Sequence, residues 1–448
     1  MSIERQIAGF VADLSVGDES LRHTAHRLVL DTVAVALPGA SAPGVAPLGD
    51  LAVQQAGIAE ASLWSARVKV PAAEAAFANG AAAAALDFDT VHAGSILHAD
   101  AVVVPAAWAV AERMGSTGAA FIDAYIAGVE IMHRLSLATP RQGGWFGSSS
   151  LGVFGAAAAA AKLLGLDAAG IHHAMGIALS LAGGTKQAIV ERTLTKRLQT
   201  AFAARSGVQA AIAAAAGVTG PEAWLTGEYG WFKLFEAGDP AKVLDGLGRH
   251  FHFTATGVKK FPSCLCNHVV IDAAMALMAE HRLAPEDVRG IDVTISPYMR
   301  RIVGAVFDPS GDAQVAGQFS VQYAAACAVY RGRMTLGEIE PDRVCDAAFG
   351  EKVRAVAVDI DNAWPGHVAP ARVTLATAQG KVSRFVEQIP GSAERPLSDA
   401  ELAAKALDCL AVAGYADTSL IERLFAIDQC DDMALIFGKE DVACSKVA

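Results

Sequence analysis

The sequence predicts a mainly α-helical protein with a smaller part that mixes helices and strands. The chain has 448 residues, of which 53% are hydrophobic but only 7% aromatic, because alanine is very abundant. Alanine is the best helix former and lets helices approach closely. Apolar residues recur at helical spacing up to about residue 257, and strand-like alternation follows in several places after residue 290. The length suits two or three domains.

Helices are predicted throughout the first part of the chain. Pro71 begins an alanine-rich helix with Glu74 in its first turn, where a carboxylate suits the positive end of the helix dipole. Helices this rich in alanine and glycine bury little area each, so they must pack tightly on several sides, as in a multi-helix bundle. The other predicted helices of this part lie at 3–14, 21–37, 155–166 and 201–215.

The pattern changes near Phe261. A helix is expected at 268–281, and strands are expected at 291–295 and 353–360. A hairpin with its turn at Gly380 joins 372–377 to 381–389. Residues 262–395 therefore form a smaller predicted α+β part.

Helical character returns after this part. Ser398 and Glu401 form a capping-box pattern at the start of a helical tail. Composition does not decide whether the tail packs on the first part or stands apart.

Charge and cysteine content favour a soluble cytoplasmic protein. The net charge is -11 and no long basic run is present, so neither nucleic acid nor a membrane is expected as a partner. The N-terminus lacks the pattern of a signal peptide, and the seven cysteines, all after residue 260, do not suggest secreted disulfides. An acidic protein can still hold a local basic pocket for an anionic substrate.

Several common motifs are absent. The sequence has no dinucleotide-binding or phosphate-binding loop, no nucleophile elbow and no H-E-x-x-H zinc motif. Cys264, Cys266 and His268 alternate as on one strand face, but this spacing without a second ligand pair is a weak metal signal. We expect no metal and no nucleotide cofactor.

Acids and histidines are concentrated between residues 87 and 98. Asp87, Asp89, His92 and His98 follow an apolar helix, and acids at a helix C-terminus oppose the dipole, so local stability does not explain them. Such a group can supply a base, an acid and an orienting residue. The alternative is a solvated loop.

Basic residues occur at two further places. Lys196 and Arg197, with Arg192 nearby, can bind carboxylates or form an exposed basic loop. Lys259 and Lys260 lie where the composition changes, and can hold anionic groups or belong to a charged linker.

One tyrosine is a further candidate. Tyr323 lies in an otherwise apolar helix, and alone it is interpreted as structural, because a buried tyrosine usually makes one hydrogen bond and does no chemistry.

Taken together, these segments resemble the MmgE/PrpD family over essentially the whole chain. Known members include 2-methylcitrate dehydratase, cis-aconitate decarboxylase and iminodisuccinate epimerase. The resemblance rests on five segments in register: Leu86-Asp87-Phe88-Asp89 with Ser95-Ile96-Leu97-His98, then 151–155, 195–198, 259–264 and 319–323.

The resemblance implies a discontinuous helical domain, 1–261 plus 396–448, and an inserted lid-like α+β domain, 262–395. It also implies an active site between the domains, a homodimer and no cofactor. The residues that match the family's site are Asp87, His98, Lys196, Lys259, Tyr323 and, as a further polar position, His268. Lys260, Arg197 and Phe146 complete the expected substrate-binding set.

The sequence departs from the family pattern at three places. Thr90 and Val91 follow Asp89 where many members have a further acid and a hydroxyl, Phe146 replaces a histidine, and Gln199 replaces another. The changes cluster in the expected pocket, so 2-methylcitrate and cis-aconitate both stay open as substrates.

The mechanism that follows is proton removal beside a carboxylate of a small polycarboxylate. Lys196 and Lys259 are expected to hold the substrate carboxylates and the developing negative charge. His98 is expected to move the proton, and Asp87 is expected to orient the His98 ring. Tyr323 is expected to protonate a leaving hydroxyl or the carbon, which favours a dehydratase. An epimerase, a decarboxylase and a non-catalytic carboxylate-binding dimer are the alternatives.

Overall fold

The chain divides into two compact units. A computed structural model describes residues 1–55, 57–139, 143–191, 193–364, 366 and 368–438. The first unit is Met1–Gly257 together with the chain from Ser398 onward, and the second is Val258–Leu397. The predicted domains, 1–261 with 396–448 and 262–395, differ from these units by a few residues at each boundary.

The first unit is a bundle of α-helices. Its α-helices are Ile3–Asp13, Glu19–Gly39, Ala46–Gln54, Ala72–Ala84, Asp100–Met114, Gly118–Leu137, Gly147–Ser150, Gly152–Leu163, Ala168–Leu179, Gln187–Val190, Thr195–Ala215, Trp231–Leu234, Pro240–Leu244, Asp399–Val412 and Leu420–Phe425. Short strand pairs join Ala61–Ser62 to Lys69–Val70 and Val91–His92 to Thr256–Gly257.

Small residues bring the helices of the bundle into close contact. A Cβ at Gly207 would lie 2.3 Å from the Cβ of Ala156, and one at Gly128 would lie 2.6 Å from the carbonyl oxygen of Gly155. These approaches leave no room for a side chain. The expected tight packing of alanine- and glycine-rich helices is therefore confirmed.

Two helix boundaries in the first unit differ from the prediction. The predicted helix 155–166 runs from Gly152 to Leu163, and the predicted helix 201–215 already begins at Thr195. Lys196 and Arg197 therefore lie in the first turn of a helix, and the alternative of an exposed basic loop is wrong for these two residues. Arg192 lies outside the described residues.

The second unit combines helices with a four-stranded sheet. The strand order is Ala357–Ile360, Val288–Ile295, Ala371–Thr377, Gly380–Val386, with the first pair parallel and the other pairs antiparallel. The predicted hairpin is confirmed, and Gly380 has the positive φ that its turn needs. The α-helices are Leu265–Glu280, Pro297–Val303, Ala313–Gln318, Val321–Ala326, Pro341–Val344 and Ala347–Arg354.

Two predictions for the second unit are wrong. The strand expected at 353–360 is a helix up to Arg354 and a strand only from Ala357. Cys264, Cys266 and His268 do not alternate on a strand face, because a helix begins at Leu265. The segment after Pro262 is too short in its alternation of apolar and polar residues to distinguish a strand from the start of a helix.

The helical tail belongs to the first unit. The helix Asp399–Val412 begins with the predicted capping box, in which the side chain of Ser398 accepts from the backbone of Glu401 and the Glu401 carboxylate accepts from the backbone of Ser398. It packs on Glu19–Gly39. The mainly helical fold with an inserted α+β part is thus confirmed. Among the described residues, no helix combines the length and apolarity needed to cross a bilayer.

Candidate active site

Residues 87–98 form an irregular turn between two buried helices. The helix Ala72–Ala84 precedes the turn and Asp100–Met114 follows it. Asp87 and Ile96 both adopt positive φ angles, near 50° and 47°, which are uncommon for residues with a side chain. The helices thus fix both ends, while specific side-chain contacts hold the turn between them.

His98 is held by a buried carboxylate. Its Nδ1 lies 2.8 Å from Oδ2 of Asp89, and its backbone N–H donates to Oγ of Ser148 at 3.0 Å. Asp89 is buried, whereas the His98 side chain remains 16% exposed. A carboxylate on Nδ1 sets the tautomer and the orientation of the ring. The prediction that Asp87 orients His98 is wrong, because Asp89 holds this position.

Asp87 pairs with a lysine instead. Nζ of Lys196 donates to Oδ1 of Asp87 at 2.6 Å, and the lysine side chain is 22% exposed. The structure therefore brings Asp87, Asp89, His98 and Lys196 together as two ion pairs on either side of Phe88.

Two further buried carboxylates lie in the same region. Asp100 accepts from the hydroxyl of Tyr125 at 2.5 Å and from the hydroxyl of Thr90. Burial raises the pKa of Asp100, and the negative charge of Asp89 raises it further. Asp31 forms an ion pair with Lys405 at 2.7 Å. Burial raises the pKa of Asp31 to about 6, against the opposing effect of Lys405.

Sequence reasoning did not single out Asp31, Asp100 or Lys405. One signal was available: Asp31 interrupts the apolar second half of the helix Glu19–Gly39, and a lone acid in an apolar stretch must find a buried partner. The identity of that partner depends on the tertiary fold.

Histidines behind the turn hold its backbone. The N–H of Ser95 donates to Nδ1 of His92 at 2.8 Å, so Nε2 carries the proton that faces the carbonyl oxygen of His252 at 3.1 Å. Oγ of Ser95 lies 2.8 Å from Nδ1 of His133, whose ring packs against that of His92. His92 and His133 are thus supports for the turn rather than its reactive groups.

Two predicted binding residues are buried in other contacts. Arg197 donates from Nη1 to the carbonyl oxygen of Pro43 at 2.8 Å. Phe146 is buried, and its carbonyl oxygen accepts from the backbone of Ser149 and Ser150 in the short helix that carries Ser148. These contacts give both residues a structural role, and substrate contact by either stays a prediction.

The remaining predicted site residues lie in the second unit. Lys259 is buried and Lys260 is half-buried. His268 is buried with Nε2 3.3 Å from the carbonyl oxygen of Ser263, and its ring meets that of Phe261 edge to face. Their part in substrate binding stays a prediction.

Tyr323 is fully buried. Its hydroxyl donates to the carbonyl oxygen of Glu338 at 2.5 Å and accepts from Arg331 at 3.1 Å. Burial raises the pKa of Tyr323 well above its usual range. These contacts favour the structural interpretation, because a hydroxyl so held is a poor proton donor.

Possible metal ligands are also dispersed. In the ranges that the structure describes, no group of three or more His, Cys, Asp or Glu side chains is arranged to hold a metal ion. The Cys264, Cys266 and His268 set forms no such group.

Comparisons with known proteins match both parts of the chain. The MmgE/PrpD N-terminal domain matches residues 5–244, and the MmgE/PrpD C-terminal domain matches residues 261–431. A cis-aconitate decarboxylase-like protein, oryM, from Aspergillus oryzae is 29% identical over 359 residues, 74% of each chain. Human cis-aconitate decarboxylase is 28% identical over 360 residues, 75% of this chain and 72% of the human one. Mouse cis-aconitate decarboxylase is 26% identical over 381 residues, 80% of this chain and 76% of the mouse one. The chain therefore belongs to the MmgE/PrpD family.

Proposed function

We propose that this protein is a lyase that removes carbon dioxide from a small unsaturated polycarboxylate of the cis-aconitate type. The observation that carries the proposal is the His98–Asp89 pair beside the Lys196–Asp87 pair. The turn thereby holds a proton-transfer group, His98, and binds a cation, Lys196, that can hold a carboxylate. The cis-aconitate decarboxylases that resemble the chain suggest the substrate class.

The proposed reaction transfers one proton and releases one carbon dioxide. The C–C bond to one carboxylate breaks, and its electron pair forms a new double bond to the neighbouring carbon. The old double bond shifts its electrons to the next carbon, which takes a proton from Nε2 of His98. Asp89 on Nδ1 stabilises the protonated imidazole before transfer, and water returns the proton afterwards.

Lys196 is proposed to hold a substrate carboxylate. An ammonium carries three donors, so it can hold Asp87 and a substrate carboxylate together. A positive charge at this place stabilises the negative charge that spreads over the substrate as the bond breaks.

Decarboxylation fits the contacts better than dehydration. The dehydratase hypothesis relied on Tyr323 as the acid for a leaving hydroxyl, and that hydroxyl is committed to Glu338. Decarboxylation expels no hydroxyl, so it needs no such acid. This chain still departs from the common family pattern at four positions, Thr90, Val91, Phe146 and Gln199. A variant of cis-aconitate is therefore a suitable substrate to test.

Lys259 is proposed as a further substrate-binding residue. The family resemblance assigns a second carboxylate contact to Lys259, with Lys260 and His268 close by in the sequence. Lys259→Met should raise KM more than it lowers kcat if the lysine binds substrate. The resemblance also implies a homodimer, which sedimentation of the full chain tests, and the sequence favours a cytoplasmic location.

Proton NMR in deuterated water tests the proposal. The purified chain is mixed in turn with citrate-like, aconitate-like, tartrate-like and amino-dicarboxylate compounds. The proposal expects new vinyl signals from an aconitate-like compound, with deuterium on the carbon that gains the proton and release of carbon dioxide. Deuterium exchange without net conversion would indicate an epimerase, elimination from a hydroxy acid would indicate a dehydratase, and binding without either would indicate a non-catalytic protein. Each of these three results would overturn the decarboxylase.

A further inference from the structure

We propose that Lys405 is a positioning residue. It lies in the helical tail of the chain, holds the turn between Asp87 and Asp89 in place, and thereby aligns His98 and Lys196. The inference deepens the proposed function and rests on it. Lys405 acts through the turn that carries the partners of His98 and Lys196.

Lys405 binds the backbone at the centre of the site. Its Nζ donates to the carbonyl oxygen of Phe88 at 2.9 Å, and lies 3.7 Å from the centroid of the Phe88 ring. Phe88 separates Asp87 from Asp89. A hydrogen bond to its carbonyl therefore fixes the peptide plane that leads into Asp89, the carboxylate on His98.

The turn needs such a support. Asp87 is held at a positive φ, and residues 87–90 belong to no helix or strand. A left-handed backbone conformation at a residue other than glycine costs on the order of 1 kcal/mol and persists only when the surrounding contacts enforce it. The ammonium of Lys405 is one of the contacts that do so.

Lys405 also neutralises charge behind the turn. Its side chain is buried and forms the ion pair with Asp31, while Asp89 and Asp100 are buried in the same region. Burying several carboxylates is unfavourable without a compensating cation. The lysine thus has two separable effects, a charge effect through Asp31 and a backbone effect through Phe88.

The tail supplies this lysine from a distant part of the sequence. Lys405 and Phe88 are 317 residues apart. By sequence Lys405 falls within the match to the C-terminal family domain, whereas the fold places it in the first unit. The first unit therefore depends on the returning tail for the geometry of its own site.

The test compares two lysines in the full-length protein. Lys405→Met removes the ammonium and keeps most of the side-chain volume. Lys162→Met is the matched control, because Nζ of Lys162 also donates to backbone carbonyl oxygens in the first unit, those of Val11 and Ala12, both at 2.9 Å. A loss of alignment of about 1 Å costs about 100-fold in rate, so kcat should fall about 100-fold in Lys405→Met, more than KM rises, and stay unchanged in Lys162→Met.

A double variant separates the backbone effect from the charge effect. Lys405→Met with Asp31→Asn removes both members of the ion pair, so the melting temperature should recover while kcat stays low. Recovery of kcat together with the melting temperature would overturn the inference, and so would a Lys405→Met enzyme as fast as the Lys162→Met control.

A spectroscopic measurement keeps the inference separate from the proposed function. The imidazole signals of His98, assigned by their loss in His98→Gln, should move in Lys405→Met and in the double variant but not in Lys162→Met. Unmoved signals would overturn the positioning role. A wild-type chain that converts no substrate would overturn the proposed function alone, because the His98 signals test positioning without turnover.

Discussion

Two buried polar clusters of this protein contain acids and proton donors, yet they differ in charge balance and exposure. The Tyr323 cluster comprises Tyr323, Arg331, Arg333 and Glu338. In it, Arg331 and Arg333 each donate a hydrogen bond to one carboxylate oxygen of Glu338, both at 2.7 Å. The His98 cluster comprises Asp31, Asp87, Asp89, His98, Asp100, Lys196 and Lys405. It buries four carboxylates and leaves His98 and Lys196 partly exposed.

We propose that this difference distinguishes a structural network, the Tyr323 cluster, from a reactive one, the His98 cluster. In the Tyr323 cluster the buried carboxylate is matched by two arginines and the tyrosine hydroxyl ends on a backbone oxygen, so the network stabilises the second unit. In the His98 cluster the buried carboxylates lie beside an imidazole and an ammonium that solvent can reach. Clusters of interacting titratable groups are common at functional sites, so we propose that this one binds anions and moves protons.

The largest effect is expected for Lys196→Met. The change removes the cation that pairs with Asp87 and that is proposed to hold a substrate carboxylate, so kcat/KM should fall about 1,000-fold. Steady-state kinetics with the substrate found by NMR measures the effect. Lys186→Met is the control, because Lys186 is exposed and its Nζ donates to the carbonyl oxygen of Gly143. Equal kcat/KM in the two variants would place Lys196 outside the reaction.

Glu338→Gln should have a large effect on stability and none on catalysis. It leaves Arg331 without its buried counter-charge, which should lower the free energy of unfolding by about 3 kcal/mol. Thermal or denaturant unfolding measures the change. Glu280→Gln breaks an exposed pair with Arg384 in the same unit and should cost about 0.5 kcal/mol. A loss of kcat well below the melting temperature would show that the Tyr323 cluster is not merely structural.

Asp31→Asn should flatten the pH dependence of stability. The folded protein raises the pKa of Asp31 from the usual 3.8 to about 6, so it binds this proton more tightly than the unfolded chain does. The resulting stabilisation is complete below the lower value and is lost as pH rises through about 6, an effect of about 3 kcal/mol.

Melting temperatures of wild type and Asp31→Asn across this pH interval test the prediction. The melting temperature of Asp31→Asn should rise relative to that of the wild type as pH rises. The melting temperature of Asp50→Asn, a change at an exposed position, should follow that of the wild type. Parallel curves for all three proteins would mean that folding does not raise the pKa of Asp31, which would contradict the prediction.

Tyr323→Phe should have the smallest effect. Removing the hydroxyl deletes one hydrogen bond to Glu338, which should cost about 1 kcal/mol of unfolding free energy. Turnover should be unchanged, as measured with the NMR assay. A marked fall in turnover would restore the tyrosine as an acid and with it the dehydratase hypothesis.

The sequence predicted those elements that local patterns determine. The capping box at Ser398, the hairpin turn at Gly380 and the alanine-rich helix after Pro71 depend on neighbouring residues, and all three are confirmed. The strand expected at 353–360 failed in part, because a short helix up to Arg354 carries a similar mixture of apolar and charged residues.

The sequence predicted which segments form the site but not which of their side chains pair with one another. The turn from Asp87 to His98 was identified, but the choice of Asp89 over Asp87 as the partner of His98 depends on the folded geometry of the turn, which the sequence pattern does not indicate. The ion pair of Asp31 with Lys405 joins distant parts of the chain and exists only in the folded state. For Tyr323, the interpretation from its apolar surroundings agrees with the contacts better than the role taken from the family resemblance.

The most direct test compares His98→Gln with Tyr323→Phe in deuterated water on the same aconitate-like substrate. A positioned acid or base contributes about 100-fold to 10,000-fold, so product formation and deuterium incorporation should fall by that factor in His98→Gln and persist in Tyr323→Phe. Wild-type rates of deuterium incorporation in His98→Gln would contradict the assignment of proton transfer to the imidazole that Asp89 holds.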